Sequence, residues 1–299
     1  MNYCIINWNY SDKQINYWIS NLIRTFENKL IVWGARGGLP ASGNEYSKFG
    51  HATCCVHLET ENKNFVFDAG TGIAKLGQKI IANNDKRPID IFIGHYHYDH
   101  ILGLPFFAPL FNKEIKINIY LPVLNDESGI NALDKFLSPP LFPMDRSVFS
   151  ENTNFIEFNV GEEINLKNNI KCKTMPLPHP GLNTAFRMYS SNFDFVYASD
   201  VEAEQSTTIE DIALFSKNTQ YIFIDSSYTD KELKKRVGWG HLSYQQVIDL
   251  AKKLKNSKVL IFHHDFFRSD QELDEILSNV LTKSNNLSVC KELSEFTFQ

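Results

Sequence analysis

His95-Tyr96-His97-Tyr98-Asp99-His100 is the stretch on which the reading of this chain turns. It follows the apolar run Ile89 to Ile93, which reads as a short buried strand, and the flexible Gly94. Alternation along an extended segment puts His95 and His97 on the same side, and a turn at Tyr98 lets Asp99 and His100 face a neighbouring point. Three imidazoles and a carboxylate so close together suit a borderline-soft divalent ion, for which neutral imidazole and carboxylate are ordinary ligands. Structural metal sites close with four ligands, so further ligands along the chain imply a second ion.

Working outward, each further candidate ends an apolar run. His179 lies in Pro178-His179-Pro180-Gly181 after the run to Met175, Asp200 ends Phe195 to Asp200, and His263 and His264 end Val259 to Phe262. A lone histidine such as His179 is more often a hydrogen-bonded side chain than a ligand. The whole set is harder to dismiss, because buried unpaired imidazoles and carboxylates cost on the order of several kcal/mol unless metals or partners compensate.

Short β-branched or aromatic runs recur at Leu30 to Trp33, Thr53 to Leu58, Asn64 to Phe67, Ile115 to Leu121, Ile170 to Met175 and Tyr221 to Ile224. Helical patterns intervene near Ala74 to Ala82, Ser243 to Leu254 and Gln271 to Val280, as in layered folds that mix both elements. A further amphipathic helix is expected over residues 11–27, where Ile15, Trp18, Ile19, Leu22, Ile23 and Phe26 share a face. The expected division is a helical extension over residues 1–29 packed on one domain over residues 30–299. Ser138 to Pro143 reads as a long loop near the site.

At 299 residues, 43% apolar and with net charge −5, the chain is ordinary globular material without a broad positive field to gather a long polyanion. Its five cysteines show no CxxC spacing and read as buried thiols. Met1 to Asn9 has no basic segment followed by an apolar core, and no apolar run approaches a membrane span, so a cytoplasmic protein is expected.

The His-x-His-x-Asp-His run, with Phe67-Asp68-Ala69-Gly70-Thr71-Gly72 upstream, resembles the metallo-β-lactamase superfamily. Trp33-Gly34-Ala35-Arg36-Gly37-Gly38, Leu104-Pro105-Phe106-Phe107-Ala108-Pro109-Leu110, Gly238-Trp239-Gly240-His241 and Phe262-His263-His264-Asp265 are similar to its branch of transfer-RNA 3′ endonucleases and cyclic-nucleotide phosphodiesterases. The resemblance implies an α+β fold, a four-layer αββα sandwich. It implies two divalent ions, zinc or manganese: His95, His97 and His179 on one, Asp99, His100 and His263 on the other, and Asp200 bridging them. It favours His263 over His264, gives Asp99 a catalytic as well as a ligand role, and makes Asp68 a residue that orients metal-bound groups without being a ligand.

By the same resemblance His241, just ahead of Ser243, is the general acid, and Asp225 is an acidic partner that raises its pKa; the bland alternative for Asp225 is a turn or capping carboxylate. Two ions about 3.5 to 4 Å apart would generate a bridging hydroxide at neutral pH. The implied substrate is a small phosphodiester, a cyclic mononucleotide above all, because only a short hairpin fits between His179 and Asp200, where transfer-RNA endonucleases insert a substrate-gripping arm. The alternatives are an RNA 3′-processing endonuclease, gripping RNA through Lys231, Lys234, Lys235 and Arg236, or a non-catalytic nucleotide-binding metal protein. No membrane partner is expected, and a homodimer is. Arg36, Ser42, Asn44, His51, Phe106, Phe107, Arg187 and Arg268 are expected near the mouth, although for any single one loop packing is the better reading.

Overall fold

Short runs with alternating apolar side chains leave two hydrophobic faces to bury, and the computed structural model, which describes residues 26–203 and 206–298, shows how both are covered. The elements run β1 (Lys29–Gly34), β2 (Arg36–Gly37), β3 (Cys55–Glu59), β4 (Asn64–Phe67), α1 (Gly72–Ala82), β5 (Ile89–Phe92), α2 (Tyr98–Ile101), β6 (Ile117–Val123), α3 (Gly129–Phe136) and β7 (Thr153–Asn159). They continue β8 (Glu163–Asn165), β9 (Lys171–Leu177), β10 (Asn183–Tyr189), β11 (Asp194–Ala198), α4 (Ser206–Phe215), β12 (Tyr221–Asp225), α5 (Asp230–Leu233), α6 (Tyr244–Lys253), β13 (Lys258–Phe262), β14 (His264–Asp265), α7 (Asp270–Val280), β15 (Leu287–Val289) and β16 (Glu295–Thr297).

The strands form two mixed sheets, ordered β16-β1-β3-β4-β5-β6-β7 and β15-β13-β12-β11-β10-β9-β8, while β14 pairs with β2 in a short ribbon. Alternation assigns the faces. In β4, Phe65 and Phe67 point between the sheets with Phe92, and they meet Phe186, Phe195, Tyr197, Phe223 and Phe262 from the second sheet. Phe67 packs edge-on to Phe195 with ring centroids 5.3 Å apart. Val66, Ile89 and Ile91 face the other way, onto Ile73, Leu76 and Ile80 of α1. On the second sheet Val196, Ile222, Ile224, Val259 and Ile261 lie under Val247, Leu250 and Ala251 of α6 and Leu273 and Leu277 of α7. Three apolar layers separated by two sheets make the expected αββα sandwich, and each fully buried large apolar side chain contributes roughly 1.5–3 kcal/mol.

The strand and helix positions read from the sequence hold to within a few residues. Elements not read there are the hairpin strand β10, the half-exposed β7, the short β2, β8, β14, β15 and β16, and helices α2, α3, α4 and α5. Residues 11–25 of the helix expected over residues 11–27 and the bulk of the expected extension over residues 1–29 lie outside the described residues, as does Cys4, while Phe26 and Glu27 take no regular structure.

Two features of the fold place the site. β4, β5, β9, β11, β12 and β13 all deliver a polar residue at or just past their carboxyl ends, on one edge of the sandwich. Three of those residues, Asp68 (φ 59°), Asp200 (φ 53°) and His263 (φ 59°), sit in the left-handed region, where a side chain is strained and persists only when its surroundings hold it.

Candidate metal centre

The loop after β5 carries the histidine run. His97 caps α2 in an extended conformation, so His95 and His97 leave the strand end together while Asp99 and His100 project from the first turn of α2. Gly38, just past β2, donates its amide to Asp99 Oδ2 at 2.7 Å. Gly37 passes so close to His263 that a Cβ there would lie 2.0 Å from the imidazole, which explains paired glycines after Arg36. The β2–β14 ribbon fixes this approach by pairing Arg36 with His264 and Gly37 with Asp265.

Three groups of ligand atoms result, each gathered within 4.8 Å: His95, His97, His179 and Asp200 in one, Cys54, Asp99, His100 and His263 in the second, and Asp200, Asp225, His241 and His263 in a third. Asp200 lies between the first two. Its Oδ1 is 2.8 Å from His263 Nε2, and its Oδ2 is 3.2 Å from His100 Nε2 and 3.7 Å from His95 Nε2. His179 Nε2 and His97 Nδ1 approach to 3.0 Å, two ring nitrogens converging on the same point.

Three of the five imidazoles, those of His100, His179 and His263, have their outer nitrogen held. Asp68 Oδ2 lies 2.6 Å from His100 Nδ1 and also accepts from Tyr197 at 2.7 Å, while Asp68 Oδ1 accepts from the Gly94 amide at 2.8 Å. Gly240 O accepts from His179 Nδ1 at 2.9 Å, and Ser227 Oγ lies 3.3 Å from His263 Nδ1. Such outer contacts fix the tautomer and aim the other nitrogen inward.

His95 tests whether these residues suit a metal. His95 is 2% exposed, and neither of its ring nitrogens has a hydrogen-bond partner. Burial, followed by the positive character of His100, holds its pKa well below the usual imidazole range, so it is neutral, as a ligand must be. Burial also opposes charge on His100 and His263, yet Asp99 and Asp200 outweigh it and raise both well above that range. An orphaned neutral imidazole beside carboxylates that demand positive charge is the donor set of a divalent cation.

Beyond Asp200 the geometry continues. Asp225, at the end of β12, places Oδ2 2.9 Å from His241 Nδ1, and His241 stacks on His263 with centroids 5.0 Å apart. A cavity of about 310 Å³ opens beside them, with Tyr228, Arg236, Trp239 and Phe267 in its walls.

A beta-lactamase superfamily domain matches residues 63–264, more than half of the chain. The chain belongs to the beta-lactamase superfamily. Members of this superfamily are metal-dependent hydrolases, phosphodiesterases and tRNase Z among them. Over 277 residues the chain is 22% identical to tRNase Z TRZ1 of Arabidopsis thaliana, with 81% of this chain and 90% of that protein covered. The metallo-beta-lactamase fold protein YhfI from Bacillus subtilis superposes with TM-score 0.68 and 18% identity over 91% of this chain and 100% of that one. Unliganded yeast PDE1 does so with TM-score 0.64 and 16% identity, over 92% and 100% of the two chains.

In this superfamily member several expected mouth residues are elsewhere. Arg36 is fully buried, donating to Gly50 O at 2.9 Å and Arg268 O at 2.8 Å and pairing with Asp270, so it braces loops and cannot reach a ligand. Arg268 is bound to Glu232, and Arg187 to Asp194 across the β10–β11 hairpin. Phe107 is buried among α1 and its neighbours, whereas Phe106 is exposed beside Phe142 of the Pro-rich loop. His51 is tied to Gly43 O, and Ser42 and Asn44 are exposed. His264 turns away from the centre, with Nε2 2.8 Å from Cys290 O.

Cys54, Tyr197, Glu202, Ser227 and the Gly240 carbonyl had not been singled out from the sequence. Cys54 joins the second ligand group, but burial pushes its thiol pKa up and it donates to Arg36 O, which makes it neutral packing beside the ligands. Only Tyr197 and Cys54 carry a signal in sequence, as a polar atom within an apolar run beside the motifs.

Proposed function

We propose that this chain is a phosphodiesterase that hydrolyses a small phosphodiester, a cyclic mononucleotide above all, with two divalent ions and His241 as general acid. His95, His97 and His179 would hold one ion, Asp99, His100 and His263 the other, with Asp200 shared; zinc or manganese suits the set. Bound there, such ions lower the pKa of water and neutralise charge on the phosphoryl oxygens.

The observation that carries the reading is the Asp225–His241 pair at the edge of the first two ligand groups. Burial works against a charged His241, but the Asp225 carboxylate outweighs it and raises the imidazole pKa, which favours the protonated form that an acid needs. With Nδ1 engaged by Asp225, Nε2 is the position from which that proton passes to the departing sugar oxygen. Neither a purely structural metal site nor a nucleotide sink has use for such an acid.

Size favours a small substrate. The β10–β11 hairpin is the whole of the insertion between His179 and Asp200, and the net charge of −5 offers little to a long polyanion. The cavity beside His241 is of nucleoside dimensions, and the exposed Trp239 and Phe267 offer ring faces to a base. No helix among the described residues is long and apolar enough to cross a membrane. A cytoplasmic homodimer, with residues 30–299 as its hydrolase domain, completes the proposal.

The second reading, RNA 3′ processing, is favoured by the likeness to tRNase Z TRZ1 and by the exposed Lys231, Lys234 and Lys235. Turnover of 3′,5′-cyclic nucleotides, 2′,3′-cyclic nucleotides and a precursor transfer RNA by manganese- and zinc-loaded protein, with His241→Ala as control, separates the two. Rapid opening of a cyclic nucleotide that the variant loses supports the first; cleavage of the RNA alone replaces it with the second.

A further inference from the structure

The segment joining α5 to α6 carries Arg236, Trp239 and His241 without regular structure of its own; Asp225 and the β12 end hold its His241–Leu242 end, and a second carboxylate holds the turn before it. Gly238 and Gly240 both have φ 84°, a left-handed conformation that turns their two amides the same way. Gly238 N donates to Glu202 Oε1 at 2.6 Å and Gly240 N to Glu202 Oε2 at 2.9 Å. Glu202 is 7% exposed, and no lysine or arginine among the described residues pairs with it. A buried carboxylate is costly unless fully bonded, and amide-to-carboxylate bonds are among the strong ones, so this carboxylate and this turn hold each other in place.

Glu202 also links the neighbouring loops. Its own amide donates to Pro178 O at 2.8 Å, and the Gly240 carbonyl that it positions accepts from His179 Nδ1 at 2.9 Å. The turn lies flat on that ring, since a Cβ on Gly240 would come within 2.0 Å of His179 Nδ1. The loops bearing His179, Asp200 and His241 are thereby tied to one another through one residue, by its backbone amide on one side and its carboxylate on the other.

We propose that Glu202 is a positioning residue: its carboxylate clamps the 238–241 turn so that His241 meets the leaving oxygen and His179 presents Nε2 inward. The part concerning His241 rests on the proposed phosphodiesterase reaction. There, a water oxygen forms the new bond to phosphorus, the bond from phosphorus to the sugar oxygen breaks, and that oxygen takes the His241 proton while the proton lost by water goes to solvent.

The test is Glu202→Gln, read in two ways. In the metal-free protein, amide hydrogen exchange at Gly238 and Gly240 should quicken by roughly tenfold or more, the size expected for losing a charge-assisted bond. In the metal-loaded protein, turnover of an ester with a sugar leaving group should fall by roughly ten- to a hundredfold at little-changed KM. Bis(p-nitrophenyl) phosphate, whose leaving group departs without a proton, should be hydrolysed almost as before. Unchanged exchange, or equal loss on both esters together with metal, would overturn the proposal. If Glu202→Gln fails to fold, Gly238→Ala strains the same turn, since a Cβ there meets nothing within 4 Å, and should give the same split between esters. Wild-type protein inactive on both esters would defeat the phosphodiesterase reading, while the exchange result would still decide the clamp.

Discussion

Asp225 Oδ2 lies 2.9 Å from His241 Nδ1, and this pair stands at the edge of the first two ligand groups with Asp225 fully buried and His241 partly open to the cavity. On the proposed reading the roles divide: the residues of the first two groups hold metal, while His241, grouped with Asp225, Asp200 and His263, moves a proton.

Replacing one residue of each kind should separate metal content from turnover. His241→Ala is expected to keep both ions and lose roughly a hundredfold or more in turnover, the usual scale for a positioned acid. Asp200→Ala should lose metal as well. Elemental analysis of both variants beside kcat checks this, and equal metal loss in the two would defeat the division.

Asp68 should act on metal without touching it. Asp68→Asn weakens the contact at His100 Nδ1 and gives the Tyr197 hydroxyl a poorer acceptor to donate to, so metal affinity should drop by roughly ten- to a hundredfold. Competition with a chromophoric chelator measures it; unchanged affinity would mean that packing alone orients His100.

His57 predicts a pH dependence of stability away from the centre. It is buried with Nε2 2.8 Å from Asn64 Oδ1, and burial pushes its pKa down from 6.5 to about 4. The unfolded chain therefore binds this proton before the folded one does. The contribution is complete above pH 6.5, shrinks as pH falls towards about 4, and amounts to roughly 3 kcal/mol at most. Urea midpoints at pH 7 and pH 4.5 should fall less in His57→Gln than in the parent protein; parallel falls would remove His57 as a cause.

Phe106 and Phe107 are adjacent yet should behave oppositely. Phe107 is fully buried, so Phe107→Ala should destabilise by about 3–5 kcal/mol. Phe106 is 62% exposed, so Phe106→Ala should cost about 0.5 kcal/mol or less. Guanidinium unfolding of the two variants decides it, and similar losses would contradict the burial described.

These neighbours also show what sequence can and cannot carry. Strands rich in Val, Ile and Phe, such as β4, β5 and β13, announce themselves because both faces are buried. β7 does not, because its burial is partial and its Asn and Glu residues blur the alternation. The histidine run was legible as chemistry, since several metal-binding side chains on one strand end have few other uses. Direction was not: Arg36 has the composition of a phosphate-binding residue, but the ribbon with β14 turns it inward. His263 and His264 differ only in which way the chain rotates at a left-handed residue, and spacing does not encode that rotation. Glu202 was invisible because its partners are backbone amides 36 and 38 residues away.

The left-handed backbone at Asp68, Asp200 and His263 bears on any attempt to redesign this protein. Those three positions are where a stability-guided search would substitute glycine, which relieves the strain at once. Each such change would remove a carboxylate or imidazole from the metal centre. Optimising this scaffold for robustness alone would thus erase its chemistry first, and heat tolerance gained at these positions would be a warning of lost function.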